Sequence, residues 1–295
     1  MGTIRRGWDF VRAGFAELTD LALPAECAGC GGAGGRAEAR GEVASGGVAP
    51  SGPLRDNVLR LGSSSVCSGC AVALAGPPFP VRRERGSGRG NLPVVYALAP
   101  YREPVSELII AQKEHGRLDL ARPLGRGLAA AVAAALADSA VSLADLVGGD
   151  DTAQTTQMAA SSPPRVLLVP IPSSKAAERR RGQDPVFRMA RAAAAGLRRR
   201  GVSVGVLRAL RHNRVVADQV GLSRQARAAN LAGSMSVTAA GRRVLSGQAF
   251  VAVLLDDVYT SGATLAEAAR ALRTAPGFGG SGSRLAAAVL AGPVR

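Results

Sequence analysis

The pattern of apolar and polar positions divides this chain into short unbroken apolar runs and longer stretches with apolar residues at helical spacing. Phe250 to Leu255 is continuously apolar, and Arg165 to Ile171 is so after its first residue. Runs of that length without polar alternation suit strands buried on both faces of a parallel sheet. Val94 to Leu98, Val202 to Val206 and Arg284 to Leu290 are three further strand candidates. Between them the spacing predicts helices from Pro104, over about Ala121 to Ala137, from Pro185 to about Arg200, and over Thr264 to Leu272. Asp184 before Pro185 is a helix start with a mechanism, because a carboxylate can accept an orphan N–H and proline fits the first helical position. Strands alternating with helices predict an α/β class, with a right-handed, mainly parallel, doubly wound sheet that binds ligands at the carboxyl ends of its strands.

The N-terminal region has a different character. Trp8, Val11, Phe15 and Leu18 recur at helical spacing, which predicts an amphipathic helix over residues 5 to 22. Cys27-Ala-Gly-Cys30 and Cys67-Ser-Gly-Cys70 follow as two knuckles, each with a glycine that lets backbone N–H groups turn toward sulfur. Four thiolates so paired suit a tetrahedral structural Zn2+. The 36 residues between Cys30 and Cys67 exceed the usual spacing. Doubling a loop costs only about 0.6 kcal/mol, whereas a structural zinc site contributes roughly 10 to 16 kcal/mol. A disulfide pair and a metal-free relic are the alternatives, and a disulfide suits a reducing compartment poorly. The insert between the knuckles and a second stretch, Ala137 to Pro164, are low-complexity. The expected organisation is a knuckle module over residues 1 to 90, a Pro/Gly/Arg-rich linker around Gly76 to Asn91, and a main domain over 91 to 295 with the second insert near 137 to 164.

Composition changes this picture in three ways. At 295 residues and 47% apolar content, the chain can bury one α/β core with a small accessory module. No sequence run approaches the roughly eighteen apolar residues of a membrane span, and Arg12, Glu17 and Asp20 interrupt any leader-like region, so no membrane insertion and a cytoplasmic location are expected. The formal charge is +15, yet 35 of the 37 basic residues are arginine and only Lys113 and Lys175 are lysine. The basic excess concentrates in residues 178 to 227, where 13 arginines face Glu178, Asp184 and Asp218. A phosphate-rich ligand, a nucleic acid or two solvated helix faces each account for it. Aromatics at 3% leave few stacking platforms, so a nucleic acid would be held mainly through its phosphates.

The chemistry concentrates in Phe250 to Thr264, FVAVLLDDVYTSGAT. An apolar strand delivers two adjacent acids, and a small-residue turn then opens a helix. There the N–H groups of Thr260, Ser261, Gly262 and Ala263 can converge on a phosphate, aided by the Thr260, Ser261 and Thr264 hydroxyls and the helix dipole. Asp256 and Asp257 would face a sugar. The strand ending at Ile171 runs into Pro172-Ser173-Ser174-Lys175 and then Arg179, Arg180 and Arg181, donors of the kind a diphosphate needs. Leu210 to Leu231 is polar and basic, with Gly221 as a hinge candidate, and His212 within it reads as a solvated loop residue. Gly277 to Gly282 fits GxGxxG but leaves a helix and enters a strand, the reverse of a dinucleotide site, and no Walker A sequence is present.

The order of strand, Asp-Asp, two residues and Thr-Ser-Gly-x-Thr resembles the 5-phosphoribosyl-1-pyrophosphate (PRPP) signature of type I phosphoribosyltransferases. The resemblance implies that Asp256 and Asp257 hold the ribose hydroxyls, that Tyr259, Thr260, Ser261, Gly262, Ala263 and Thr264 hold the 5′-phosphate, and that Ser173, Ser174 and Lys175 lie in the pyrophosphate loop. It also implies that Leu210 to Leu231 is a flap in which Arg214, Arg224 and Arg227 neutralise the departing pyrophosphate alongside Mg2+, with Asp256, Asp257 and Arg224 as the catalytic set. With the knuckles, VPIPSSKAAERRRG and the Arg214 to Asn230 string, the chain resembles the ComF family over nearly its whole length. That family's properties imply a PRPP-binding phosphoribosyltransferase domain, linked to single-stranded DNA and other DNA-uptake proteins during natural transformation. One departure falls on Arg181-Gly182-Gln183-Asp184-Pro185, where the family carries Arg-Gly-Phe-Asn-Gln. Three functions stay open: transfer of phosphoribose to an acceptor, PRPP sensing or DNA binding without turnover, and nucleobase salvage. Salvage is disfavoured, since only Ala291 to Arg295 follow the last predicted strand, where salvage enzymes carry much of their base-binding hood.

Overall fold

The computed structural model describes residues 26–32, 65–81, 92–139, 166–214, 224–246, 250–276, 278 and 283–293. The expected helix over 5 to 22, most of both inserts and Gly221 lie outside the described residues. In chain order the first elements are α1 (Ser68–Ala73), β1 (Phe79–Pro80), β2 (Val95–Pro100), α2 (Val105–Lys113), α3 (Ala121–Asp138), β3 (Val166–Pro170), α4 (Lys175–Arg181) and α5 (Pro185–Arg198). They continue with β4 (Val204–Val206), β5 (Leu210–His212), α6 (Arg224–Leu231), β6 (Met235–Val237), α7 (Ala239–Leu245), β7 (Val251–Val258), α8 (Ala263–Arg273) and β8 (Arg284–Gly292).

The apolar runs become a six-stranded sheet in the order β1-β2-β8-β7-β3-β4, parallel throughout except for the antiparallel edge strand β1. The mixed α/β class and the largely parallel sheet are therefore as the apolar pattern predicts. Alternation along β7 sorts its side chains into two cores. Val251, Val253 and Leu255 meet α2, α3 and α5 on one face, while Ala252 and Leu254 meet α8 and the β5–β6 ribbon on the other. Each fully buried valine or leucine contributes about 1.5 to 3 kcal/mol, so this two-sided burial fixes the place of β7 at the centre.

The leading helix on the first face is α3, which crosses α5 closely. A Cβ on Gly125 would lie 2.5 Å from Ala192 Cβ and 2.6 Å from the Met189 carbonyl oxygen, so only glycine permits the approach. The stretch Leu118–Asp138 containing α3 is, by length and composition, the one candidate membrane span among the described residues. It is mostly buried against the sheet and α5, and that core position accounts for its apolarity.

Three differences from the sequence pattern bear on the site. The start of the expected linker forms β1, whose Phe79 and Pro80 pair with Ala97 and Tyr96; a sheet edge tolerates proline because it leaves an N–H position facing outward. β7 runs through Val258, so both acids are part of the strand. The polar segment after β4 contains the antiparallel β5–β6 ribbon, in register Leu210 with Val237 and His212 with Met235, which three-residue strands carrying Arg211 and Ser236 do not announce. Asp184 caps α5 as its sequence context predicts, accepting from the Phe187 N–H at 3.0 Å.

Candidate functional site

The end of β7 places the two acids next to each other on opposite faces. Asp257 follows the parity of Val253 and Leu255 and is buried, whereas Asp256 pairs in register with Val289 and is half-buried. Each carboxylate accepts from the next backbone N–H, Asp256 Oδ1 from Asp257 at 2.9 Å and Asp257 Oδ1 from Val258 at 2.8 Å. The other oxygen of Asp257 meets Lys113, the last residue of α2, with Nζ to Oδ2 at 2.7 Å. The next residue, Glu114, accepts from Arg181 at 2.9 Å, which ties the end of α2 to the end of α4.

These charges shape one another. Burial, and then the negative charge of Asp257, push the Asp256 carboxyl well above the usual carboxylate range, with Lys113 opposing the shift. Burial alone would pull the Lys113 ammonium down, but the charge and hydrogen bond of Asp257, with Asp256 behind it, outweigh burial and raise it. Among the described residues, the ion pair with Lys113 falls to Asp257.

Beyond the acids the chain turns into α8. The Tyr259 N–H donates to the Ala291 carbonyl at 2.8 Å, which holds the turn against the end of β8. Gly262 caps α8 with φ +70°, and a Cβ there would fall 2.6 Å from Tyr259 Oη, so glycine serves both the left-handed backbone and the packing of the tyrosine ring. Gly262 offers no side-chain acceptor to the first turn, and Ser261 Oγ accepts only weakly from the Ala263 N–H at 3.4 Å. Thr260 is exposed, Ser261 and Thr264 half-buried and Ala263 buried. Such a helix start concentrates partial positive charge and suits an anion.

The turn after β3 lies at the same carboxyl edge, because the Ile171 N–H donates to the Leu255 carbonyl at 2.8 Å. Ser173 is half-buried, and Ser174 Oγ accepts from the Ala177 N–H at 3.2 Å as the cap of α4. Lys175 is the first residue of α4. His212 is part-buried, and its Nε2 lies 3.0 Å from the Pro172 carbonyl oxygen, so it joins the ribbon to this turn instead of standing solvated in a loop. Arg214 donates to the carbonyls of Asn230 at 2.6 Å and Ala232 at 3.4 Å, at the end of α6, while Arg224 and Arg227 belong to α6 itself. The sheet edge thus gathers Asp256, Asp257, the residues from Tyr259 to Thr264 and the Pro172 to Ser174 turn, and the guanidinium of Arg214 is engaged with helix carbonyls.

The sequence does not reveal the pairing of Lys113 with Asp257 or of Glu114 with Arg181. The one available signal is that Lys113 is a lysine where arginine is the rule. Gln183, Asp184 and Pro185 are all buried. Arg208 reaches Asp184 at 3.5 Å and Glu178 at 2.9 Å while lying 4.9 Å above the Phe187 ring, which fixes the α4–α5 turn.

The four cysteines form a second cluster. Their Sγ atoms all lie within 4.8 Å of one another, and Cys30 and Cys67 are 3.8 Å apart. A tetrahedron with metal–sulfur bonds of about 2.3 Å has edges of about 3.8 Å, whereas a disulfide would need about 2.05 Å. The thiols are free. The Cys67 N–H points to Cys27 Sγ at 3.3 Å and the Cys70 N–H to Cys67 Sγ at 3.4 Å. Burial opposes ionisation of Cys27, but the N–H groups of Cys67, Gly29 and Cys30 outweigh it and lower the thiol to about 6; burial raises Cys67 and Cys70. Four sulfurs at these separations fit a structural ion such as Zn2+, with Cys27, Cys30, Cys67 and Cys70 as its ligands. The knuckle is docked on the main body, since a Cβ on Gly29 would lie 3.0 Å from Cys70 Sγ and 3.2 Å from both Leu108 and Pro104.

No family model matches this chain, and no curated protein matches it.

Proposed function

We propose that this chain is a PRPP-binding protein of the type I phosphoribosyltransferase kind, similar to the ComF family, with Mg2+ accompanying the diphosphate and Zn2+ in the cysteine cluster. The observation that carries this reading is a central parallel strand ending in Asp256-Asp257 and followed at once by a glycine-capped helix start. In this reading the acids hold the ribose hydroxyls and the Tyr259 to Thr264 turn holds the 5′-phosphate. The Ser173, Ser174 and Lys175 turn receives the pyrophosphate, and the segment containing Arg214, Arg224 and Arg227 closes over it. Mg2+ supplies charge neutralisation on the diphosphate, and closure excludes water while positive charge develops at the ribose carbon. In this reading phosphoribose passes to an acceptor and pyrophosphate leaves.

A link to DNA uptake rests on the family resemblance. One feature supports phosphate-backbone contact as a second reading, because Arg188 and Arg191 along α5 and Arg199 at its C-cap are exposed. Such contact predicts single-stranded DNA binding with a log–log salt slope of about 0.7 per phosphate contacted.

Calorimetry with PRPP and Mg2+ tests the main reading. Wild-type protein binds in a Mg2+-dependent manner, and Asp256→Asn and Asp257→Asn each weaken binding by about 1.5 to 3 kcal/mol, the range for a charge-assisted hydrogen bond. Binding that is absent, or indifferent to both substitutions, rules the PRPP site out.

A further inference from the structure

The last turn of α2 presents Lys113 and Glu114, residues of opposite charge that reach different parts of the site. Lys113 covers Asp257 from the solvent side, for its side chain is 39% exposed and that of Asp257 is 7% exposed. Each oxygen of Asp257 already has a partner, Oδ1 the Val258 N–H and Oδ2 the ammonium. A sugar hydroxyl seeking that carboxylate therefore meets a lysine already there. Glu114 meanwhile holds Arg181, whose side chain is 12% exposed and whose buried Nε has no partner among the described residues. The charge of Arg181 is close enough to oppose protonation of Lys113. Two cations thus sit near one another at the carboxyl edge of the sheet, one tied to an acid outside the proposed sugar site and the other tied to an acid within it.

We propose that Lys113 is an exchangeable counter-ion: it neutralises Asp257 before ligand arrives, then turns to the diphosphate beside Arg181 and releases the carboxylate to the sugar hydroxyl. This inference rests on the PRPP reading and adds a coupling within that site. The residue type fits the task. An ammonium is a point charge on a flexible stem with three rotatable donors, whereas a guanidinium would clamp the carboxylate through two parallel bonds. In a chain with 35 arginines and two lysines, lysine at this position keeps the pair separable.

The test uses the full chain and two probes, inorganic pyrophosphate without Mg2+ and PRPP with Mg2+, followed by calorimetry. Lys113→Met weakens pyrophosphate binding about ten- to a hundredfold, the equivalent of one charge-assisted hydrogen bond. Asp257→Asn has opposite effects on the two probes, strengthening pyrophosphate binding because the ammonium is freed and weakening PRPP binding because the hydroxyl acceptor is lost. In the Lys113→Met background the gain from Asp257→Asn disappears. Lys113→Arg weakens PRPP binding although the charge is kept. An Asp257→Asn gain that persists in the Lys113→Met background would be a general field effect and would overturn the proposal, as would pyrophosphate affinity indifferent to Lys113→Met. If wild-type protein ignores PRPP while the pyrophosphate responses hold, the sugar assignment fails and the counter-ion exchange stands.

Discussion

The cysteine cluster and the acid pair are both concentrations of potential negative charge, and they are neutralised in different ways. Two of the four sulfurs, those of Cys27 and Cys67, receive backbone N–H groups, and Arg117, whose charge interacts with Cys27, is engaged with Asp119 at 3.0 Å. Four thiolates packed this closely need a metal to exist together. The acids instead have Lys113 on the next structural layer, so the ligand-free site keeps one carboxylate compensated without any metal. A cluster whose charge must be balanced from outside becomes a permanent fixture, while one balanced by a mobile side chain can trade that partner for a ligand. The first arrangement serves stability, whereas in the second burial, and then the charge of Asp257, keep Asp256 raised.

This contrast fails most visibly if the thiols do without metal. Native mass spectrometry should find one zinc per chain, and chelation or Cys70→Ser should abolish cooperative melting, since roughly 10 to 16 kcal/mol of metal-binding free energy is at stake. Because Cys27 and Cys70 share a core with Leu98 and Leu108, the loss should spread into the sheet domain. Protein that is metal-free and melts like the wild type would remove the distinction. A smaller effect is expected from Gly29→Ala, which intrudes between the knuckle and α2 and should cost about 1 to 3 kcal/mol in urea denaturation. The acid pair should respond with the opposite sign. Because the folded-state Asp256 carboxyl titrates above its unfolded value, its ionisation opposes folding at neutral pH. That penalty shrinks as pH falls through the folded value and vanishes below the unfolded one, near 3.9. Asp256→Asn should therefore stabilise the ligand-free protein at pH 7, by about 0.5 to 2 kcal/mol as stabilising substitutions commonly do, with the gain lost toward pH 4. Thermal melts across that range check it.

Local chemistry was legible in the sequence, and distant pairing was not. The β7 run, the Asp-Asp pair and the small-residue turn are contiguous, so one window of residues contains strand, acids and helix start. The Asp184 cap and Pro185 are likewise adjacent and were readable together. The cysteine knuckles could be matched because thiols are rare and their spacing within each pair is fixed. Lys113 was conspicuous only as a lysine, since its acid lies at the end of a strand formed much later in the chain. The β5–β6 ribbon is hidden in the sequence because three-residue strands carry too few alternations, and its support comes from elsewhere. Glu267 in α8 accepts the Met235 N–H at 2.9 Å, and Arg270 donates to the Met235 carbonyl at 3.0 Å.

The short strand β1 has a consequence for how the chain can be divided. Phe79 and Pro80 cover the outer edge of β2, and the Val81 N–H adds a bond to the Val95 carbonyl at 2.8 Å. A fragment beginning after this strand would expose β2 as a bare row of backbone donors and acceptors, a template on which other chains can assemble. Proline at that border also discourages a further strand from docking outside β1. The segment joining the cysteines to the sheet therefore works as an edge guard, and cutting it away would leave the β2 side of the sheet open to self-association.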